Sequence, residues 1–330
     1  LIIAILSLTL DFFGSLFGAS VLAIVIYMYG IGAVFFIWIS RRSLPKLSSY
    51  FFKLLYREKL LALTMLLCVA TLSSTVIFSW LRVPMGLYIQ GGNLHDSAWH
   101  VALIKELQTQ IPPRHPSAYG EVVKNYHYYY DLVLAGIANA THIQVSLLHF
   151  QVMPVLISIF LALSSIVFAR SVTKNTFFPH WLLFFIYFGG SAAFMIPMFF
   201  PTKTWMESSF WVSQTFSMMI NPQLLLSFAL LFVLFSIPLW GDALHEKKKL
   251  ISSLVITAAL AGIKMYAFIL AIILFGLYLV FNTSKKNITM VIASLVLVGI
   301  VSTAMFFRFT NPGKQQLLYS PLWFVNTMVE

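Results

Sequence analysis

Two acid–histidine pairs, Asp96 with His100 and His127 with Asp131, lie within the polar stretch 91–131. Each pair is spaced i,i+4, so on a helix its two side chains share a face. A carboxylate beside an imidazole is suited to proton transfer, and the same groups suit a hard or borderline cation. The stretch also holds Glu106 and Glu121, and with His95 and His115 it carries four of the eight histidines. Plainer roles compete with the chemical ones. Asp96 can serve as a helix N-cap, His100 as a solvated histidine, and the aromatic run at 126–130 as an interfacial belt.

The rest of the chain supplies an apolar setting for this stretch. Its 330 residues are 60% hydrophobic and 9% charged, with a mean hydropathy of +0.88. Soluble domains carry roughly 25% charged residues, so the composition predicts a polytopic membrane protein. The apolar runs have helix length and lack the short alternation of a membrane barrel. The net charge of +11 is read as membrane topology, and no nucleic-acid partner is expected. Cys68 is the single cysteine, so no intrachain disulfide forms. A chain that opens on Leu1 and ends at Glu330 without a stop-like tail is expected to be truncated.

Residues 1–12 read as the end of a cut helix, and 17–40 and 60–80 as spans. The connector 41–59 carries six Lys or Arg against one acid, which places it in the cytoplasm by the positive-inside rule. The loop 81–145 is then exoplasmic. Further spans are expected at 146–169, 181–200, 223–240 and 288–307, with a second exoplasmic loop at 201–222. The apolar run 250–281 has Lys264 near its middle. A buried ammonium is costly, so the run is read as two short spans meeting near 262–266. Within the long loop, one helix is expected from Asp96 to the IPPRHP breaker and another from near Glu121. Both are read as lying on the outer leaflet. The expected fold class is therefore all-α, a polytopic transmembrane helical protein with interfacial helices in a large first exoplasmic loop.

Three segments, LYIQGGNLHDSAWHVALIKEL, NYHYYYDLVLAGI and LVITAALAGIKMYAFILAIILFGLYLVF, together resemble the GT-C superfamily of integral membrane glycosyltransferases. The nearest likeness is to protein O-mannosyltransferases and aminoarabinose transferases. The first segment places an acid, Asp96, near the start of the large loop. The second is similar to their Tyr-rich element, with His127 where they carry Pro-Pro. The third is similar to their paired short spans with a Lys at the outer turn. The likeness covers residues 60–310, with 1–59 as extra N-terminal segments and basic connector, and 311–330 as the start of a further exoplasmic segment.

The resemblance implies transfer of a sugar from a polyprenyl-phosphate-linked donor to an acceptor on the exoplasmic side, in the plasma (inner) membrane and among membrane lipids. It implies Asp96 and His100 as catalytic residues. Lys264 is the implied phosphate partner, with Arg308 and Arg82 behind it, and His127, Asp131 and Tyr126 border the substrate. A divalent cation, Mg or Mn, held by Asp96, His100 and His127 is the one cofactor the residue types admit. Two other classes stay open: a transporter or lipid flippase with a midplane site near Lys264, and a non-catalytic membrane scaffold.

Overall fold

The computed structural model describes residues 1–40, 58–89, 96–124, 126–190, 220–239 and 246–282, with isolated positions at 56, at 217–218 and between 296 and 307. Among these residues the fold is helical apart from one antiparallel hairpin. The helices are α1 (Ile2–Phe17), α2 (Val21–Ser40), α3 (Lys59–Ser74), α4 (Asp96–Leu107) and α5 (Tyr129–Thr141). They continue as α6 (Val145–Val172), α7 (Phe178–Phe188), α8 (Pro222–Ser236, prolonged by a 3-10 turn to Leu239), α9 (Glu246–Ile263) and α10 (Met265–Asn282). The hairpin pairs β1 (Leu81–Val83) with β2 (Gly86–Tyr88). The second exoplasmic loop expected at 201–222 lies almost wholly outside the described residues, as do the connector at 41–55 and Arg308.

Two helices, Val145–Val172 and Pro222–Leu239, are long and apolar enough to cross a membrane. At 1.5 Å per residue they reach about 42 and 27 Å. Proline marks the first turn of α7 and α8 (Pro179, Pro222), where a missing N–H costs nothing. Asn221 caps α8 by accepting from Leu224 N at 3.2 Å. Pro154 lies inside α6, directly after a π-helical turn at Leu148–Val152. The wider turn relieves the clash a proline ring makes with the preceding turn.

One core joins these elements. The most extensive packing is between α6 and α8, whose buried residues include the small Ser165, Ala229 and Ser227. Small residues let apolar helices approach closely. The short helix α5 lies at the centre, packed on α1, α2, α4 and α9. At Gly136 a methyl group would meet Ile26 at 3.2 Å, and at Gly262 it would fall 2.3 Å from the Tyr129 ring. Glycine at 262 is what allows α9 to lie against α5.

Several expectations need correction. Helix α5 does not lie on the surface of the bundle; Tyr129, Tyr130, Asp131, Leu132, Leu134 and Ala135 are all buried within it. It starts at Tyr129 rather than near Glu121, because the preceding strip is tied back to residues 112–115. Val123 N donates to Pro113 O at 2.9 Å, His115 N to Glu121 O at 2.8 Å, and Arg114 bridges Val122. Helix α1 runs past residue 12 to Phe17, and it packs on α5 and α9. Helix α3 stops at Ser74, short of the span expected to reach 80. The break expected in the run 250–281 is present, at Lys264. There the chain folds back, so that Leu254 of α9 meets Phe275 of α10.

Candidate active site

The ends of four helices converge at one end of the bundle. His100 comes from α4, Asp131 from the first turn of α5, Gln223 from the first turn of α8 and His149 from the π-turn of α6. His100 Nδ1 lies 3.1 and 3.2 Å from the two oxygens of Asp131. A carboxylate only accepts, so this nitrogen carries the proton and donates. Gln223 Nε2 donates to Asp131 Oδ2 at 2.9 Å. It also lies 3.4 Å from His100 Nδ1, two donors aimed at one carboxylate. All three side chains are essentially sealed, His100 at 2% exposure and Asp131 and Gln223 at 0%. A charge buried so deeply is tolerable only when hydrogen-bonded or paired. The His100 and Gln223 donors meet that requirement.

His149 stacks on His100 with ring centroids 5.7 Å apart, and the Tyr130 hydroxyl is 3.5 Å from His149 Nδ1. Tyr126 stacks on His127 at 4.9 Å and meets Trp99 edge-on at 5.7 Å. Lys264 sits at the break between α9 and α10, 9% exposed. It closes one helix and opens the next: its N–H reaches Leu260 O at 2.8 Å as the last bond of α9, and its carbonyl accepts from Phe268 N at 3.1 Å as the first of α10. Its ammonium lies 5.5 Å from the Tyr266 ring centroid; burial pushes its pKa down to about 8, a shift that the charges of Asp96 and then Asp131 only partly oppose. Asp96 is the first residue of α4 and is half-buried.

The structure therefore brings together Asp96, His100, Tyr126, His127, Asp131 and Lys264. The pairing inside the group differs from the spacing rule. His127 precedes α5 and shares no helix face with Asp131, whose partners are His100 and Gln223. His100 likewise turns to Asp131, on another helix. The metal set Asp96, His100 and His127 is not assembled either: among the described residues no three His, Cys, Asp or Glu side chains group to hold an ion. His100 has already committed Nδ1 to Asp131. The side chain of Arg82 lies outside the described residues, as does Arg308. Sequence reasoning passed over Gln223 and His149. Both are polar residues near the end of an apolar span, as Lys264 is, and that shared depth was the available signal.

Burial pushes the His127 imidazole down to about 3, with the charge of Lys264 adding to the effect. Burial, then the charge of Asp131, keeps the Tyr126 phenol protonated. His127 is thus neutral in the fold and takes up a proton on unfolding below about pH 6.5. Its contribution to stability is full above that pH and is lost as the pH falls toward 3. The parent protein should therefore lose stability between pH 6 and 4 more steeply than His127→Phe, by no more than about 1.4 kcal/mol per pH unit, the limit for one proton. Unfolding midpoints of the two proteins in detergent across that range test this. Parallel profiles would show that His127 is not held neutral.

A separate cavity of about 580 Å³ opens beside the far end of α5, lined by Trp80, Lys105, Gln108, Asn139, His142 and Gln144 among others. It contains none of the His100–Asp131–Lys264 group. Gln108 and Asn139 bond each other there at 2.7 Å.

No family model, curated protein or solved structure matches this chain.

Proposed function

We propose that this chain is a multi-pass membrane glycosyltransferase of GT-C type. It would move a sugar from a polyprenyl-phosphate-linked donor to an acceptor hydroxyl on the exoplasmic side of the plasma membrane. The observation that carries this reading is the meeting of two acids, two histidines and a lysine from distant segments at one end of an apolar bundle. Ionisable groups gathered at such a depth are costly and usually functional.

The membrane setting is supported by the surface as well as by the two long apolar helices. Phe12, Phe17, Ile24, Met28, Ile31, Leu66, Trp181 and Phe185 are all exposed. Soluble proteins rarely leave contiguous apolar surface on this scale. The opposite end of the bundle carries the Arg170–Glu58 ion pair, in keeping with a cytoplasmic position for 41–59 and 170–174.

Lys264 would face the phosphate leaving group and oppose the charge developing on it. A proton acceptor, Asp96 or His100, would take the hydrogen of the acceptor hydroxyl. Tyr126 and His127 would border the sugar. Arg82 and Arg308 remain proposed second cations.

The test uses membranes containing the full chain, supplied in turn with polyprenyl-phosphate mannose, glucose and arabinose carrying labelled sugar. Label released to water or to membrane acceptors supports the reading. Donor lipid moved across the bilayer with its sugar intact would replace it with a flippase. With Cys68 removed, a cysteine at Ser117 should react with an impermeant thiol reagent in intact cells, whereas one at Ser43 should not. Labelling at Ser43 alone would reverse the topology.

A further inference from the structure

The geometry points to His100 as the proton acceptor of the proposed transfer, with Asp131 and Gln223 as its positioning residues. This rests on the transferase reading above and decides between its two candidate bases.

Asp131 accepts from His100 Nδ1 at 3.1 Å. That bond places the ring proton on Nδ1 and leaves the lone pair on Nε2, the nitrogen that must do any proton abstraction. Among the described residues no group bonds Nε2; the hydrogen bonds of this ring all involve Nδ1. Gln223 keeps the carboxylate from turning. Its amide nitrogen must face Asp131, since an amide oxygen there would repel the carboxylate, and its donation to Oδ2 at 2.9 Å adds a second donor beside His100, whose Nδ1 lies 3.1 and 3.2 Å from the two oxygens. The three residues come from α4, α5 and α8, so the orientation is set by packed helices and not by a loop. Burial preserves the strength of the carboxylate field. An imidazolium formed at His100 would therefore be stabilised where it arises, as in other carboxylate–histidine arrangements.

Other groups face the ring without competing for that role. His149 and Tyr126 contact it only through their rings, at 5.7 and 6.4 Å.

In the step, the acceptor O–H proton passes to His100 Nε2. The electron pair of that hydroxyl forms the new bond to the anomeric carbon of the donor. The bond from that carbon to the phosphate oxygen breaks, and its pair leaves with the polyprenyl phosphate opposite Lys264.

A buried pair serving only to join helices would show the same distances, so the test needs readouts that such a role would not move. The first is the tautomer of His100 by ¹⁵N NMR of histidine-labelled protein in nanodiscs, assigned by loss of its signal in His100→Gln. The second is label transfer from the three polyprenyl-phosphate sugars. The expected results are an Nδ1–H tautomer in the parent and its loss in Asp131→Asn. Transfer should fall roughly 10²–10⁴-fold in His100→Gln, the usual worth of a general base, and by less in Asp96→Asn. An Nε2–H tautomer or an imidazolium in the parent at neutral pH overturns the assignment. So does a folded His100→Gln that transfers like the parent. If the parent releases no label from any of the three donors, the transferase reading fails and takes the base with it. Transfer by the parent with failure of the His100 pattern overturns this inference alone.

Discussion

Lys264→Met is expected to lower sugar transfer from a polyprenyl-phosphate donor by roughly 10²–10³-fold, the effect of removing one preorganised stabilising group from a forming charge. The residue is buried at a helix break, where burial works against its charge and the charges of Asp96 and Asp131 partly offset that. A lysine that only snorkelled to headgroups would not be packed into the bundle at 9% exposure. Met keeps the length and apolar stem, so packing against α5 and the adjoining core should survive and expression should match the parent. Arg restores the charge but carries it in a planar fork, and partial rescue is the expected result. Rates and donor KM measured on matched amounts of monodisperse protein decide it. Turnover by Lys264→Met at the parental rate would reduce the lysine to a membrane anchor.

What could be read in advance, and what could not, follows from the range of each rule. The break at Lys264 was legible because an ammonium inside an apolar run carries a local cost that a fold-back relieves. The membership of Asp96, His100, His127 and Asp131 was legible because polar groups are scarce in so apolar a chain. Their partners were not. The i,i+4 rule speaks only within one helix, whereas His100 meets Asp131 across 31 positions and Gln223 reaches Asp131 across 92.

The start of α5 was misplaced for a related reason. Residues 121–128 hold no strong breaker, and what keeps them out of the helix is pairing with residues 113–115. The tyrosines misled most. A Tyr ring is amphipathic and reads the same at a membrane interface as in a core whose hydroxyl has found a partner. Here that partner is an acid near the start of the chain.

That acid, Asp11, is the basis of the largest expected stability effect. Its two carboxylate oxygens accept from the buried Tyr128 and Tyr129 hydroxyls at 3.2 and 3.1 Å. Tyr129 cannot swing away, because its ring lies against Gly262 of α9. Asp11→Ala leaves both hydroxyls without this acceptor in a closed interior. Removing the acceptor of a buried hydroxyl costs about 1–3 kcal/mol, and a loss of at least that order is expected. Asp11→Asn keeps one acceptor oxygen and should lose less. Denaturant unfolding in detergent gives the two values. Combining Asp11→Ala with Tyr128→Phe and Tyr129→Phe tests the cause, since a shared network makes the losses less than additive. Fully additive losses would mean that Asp11 stabilises α1 by some other route. With the coupling present, the tyrosines written off at first as a membrane belt become the link through which α1 holds α5, and with it Asp131, in place.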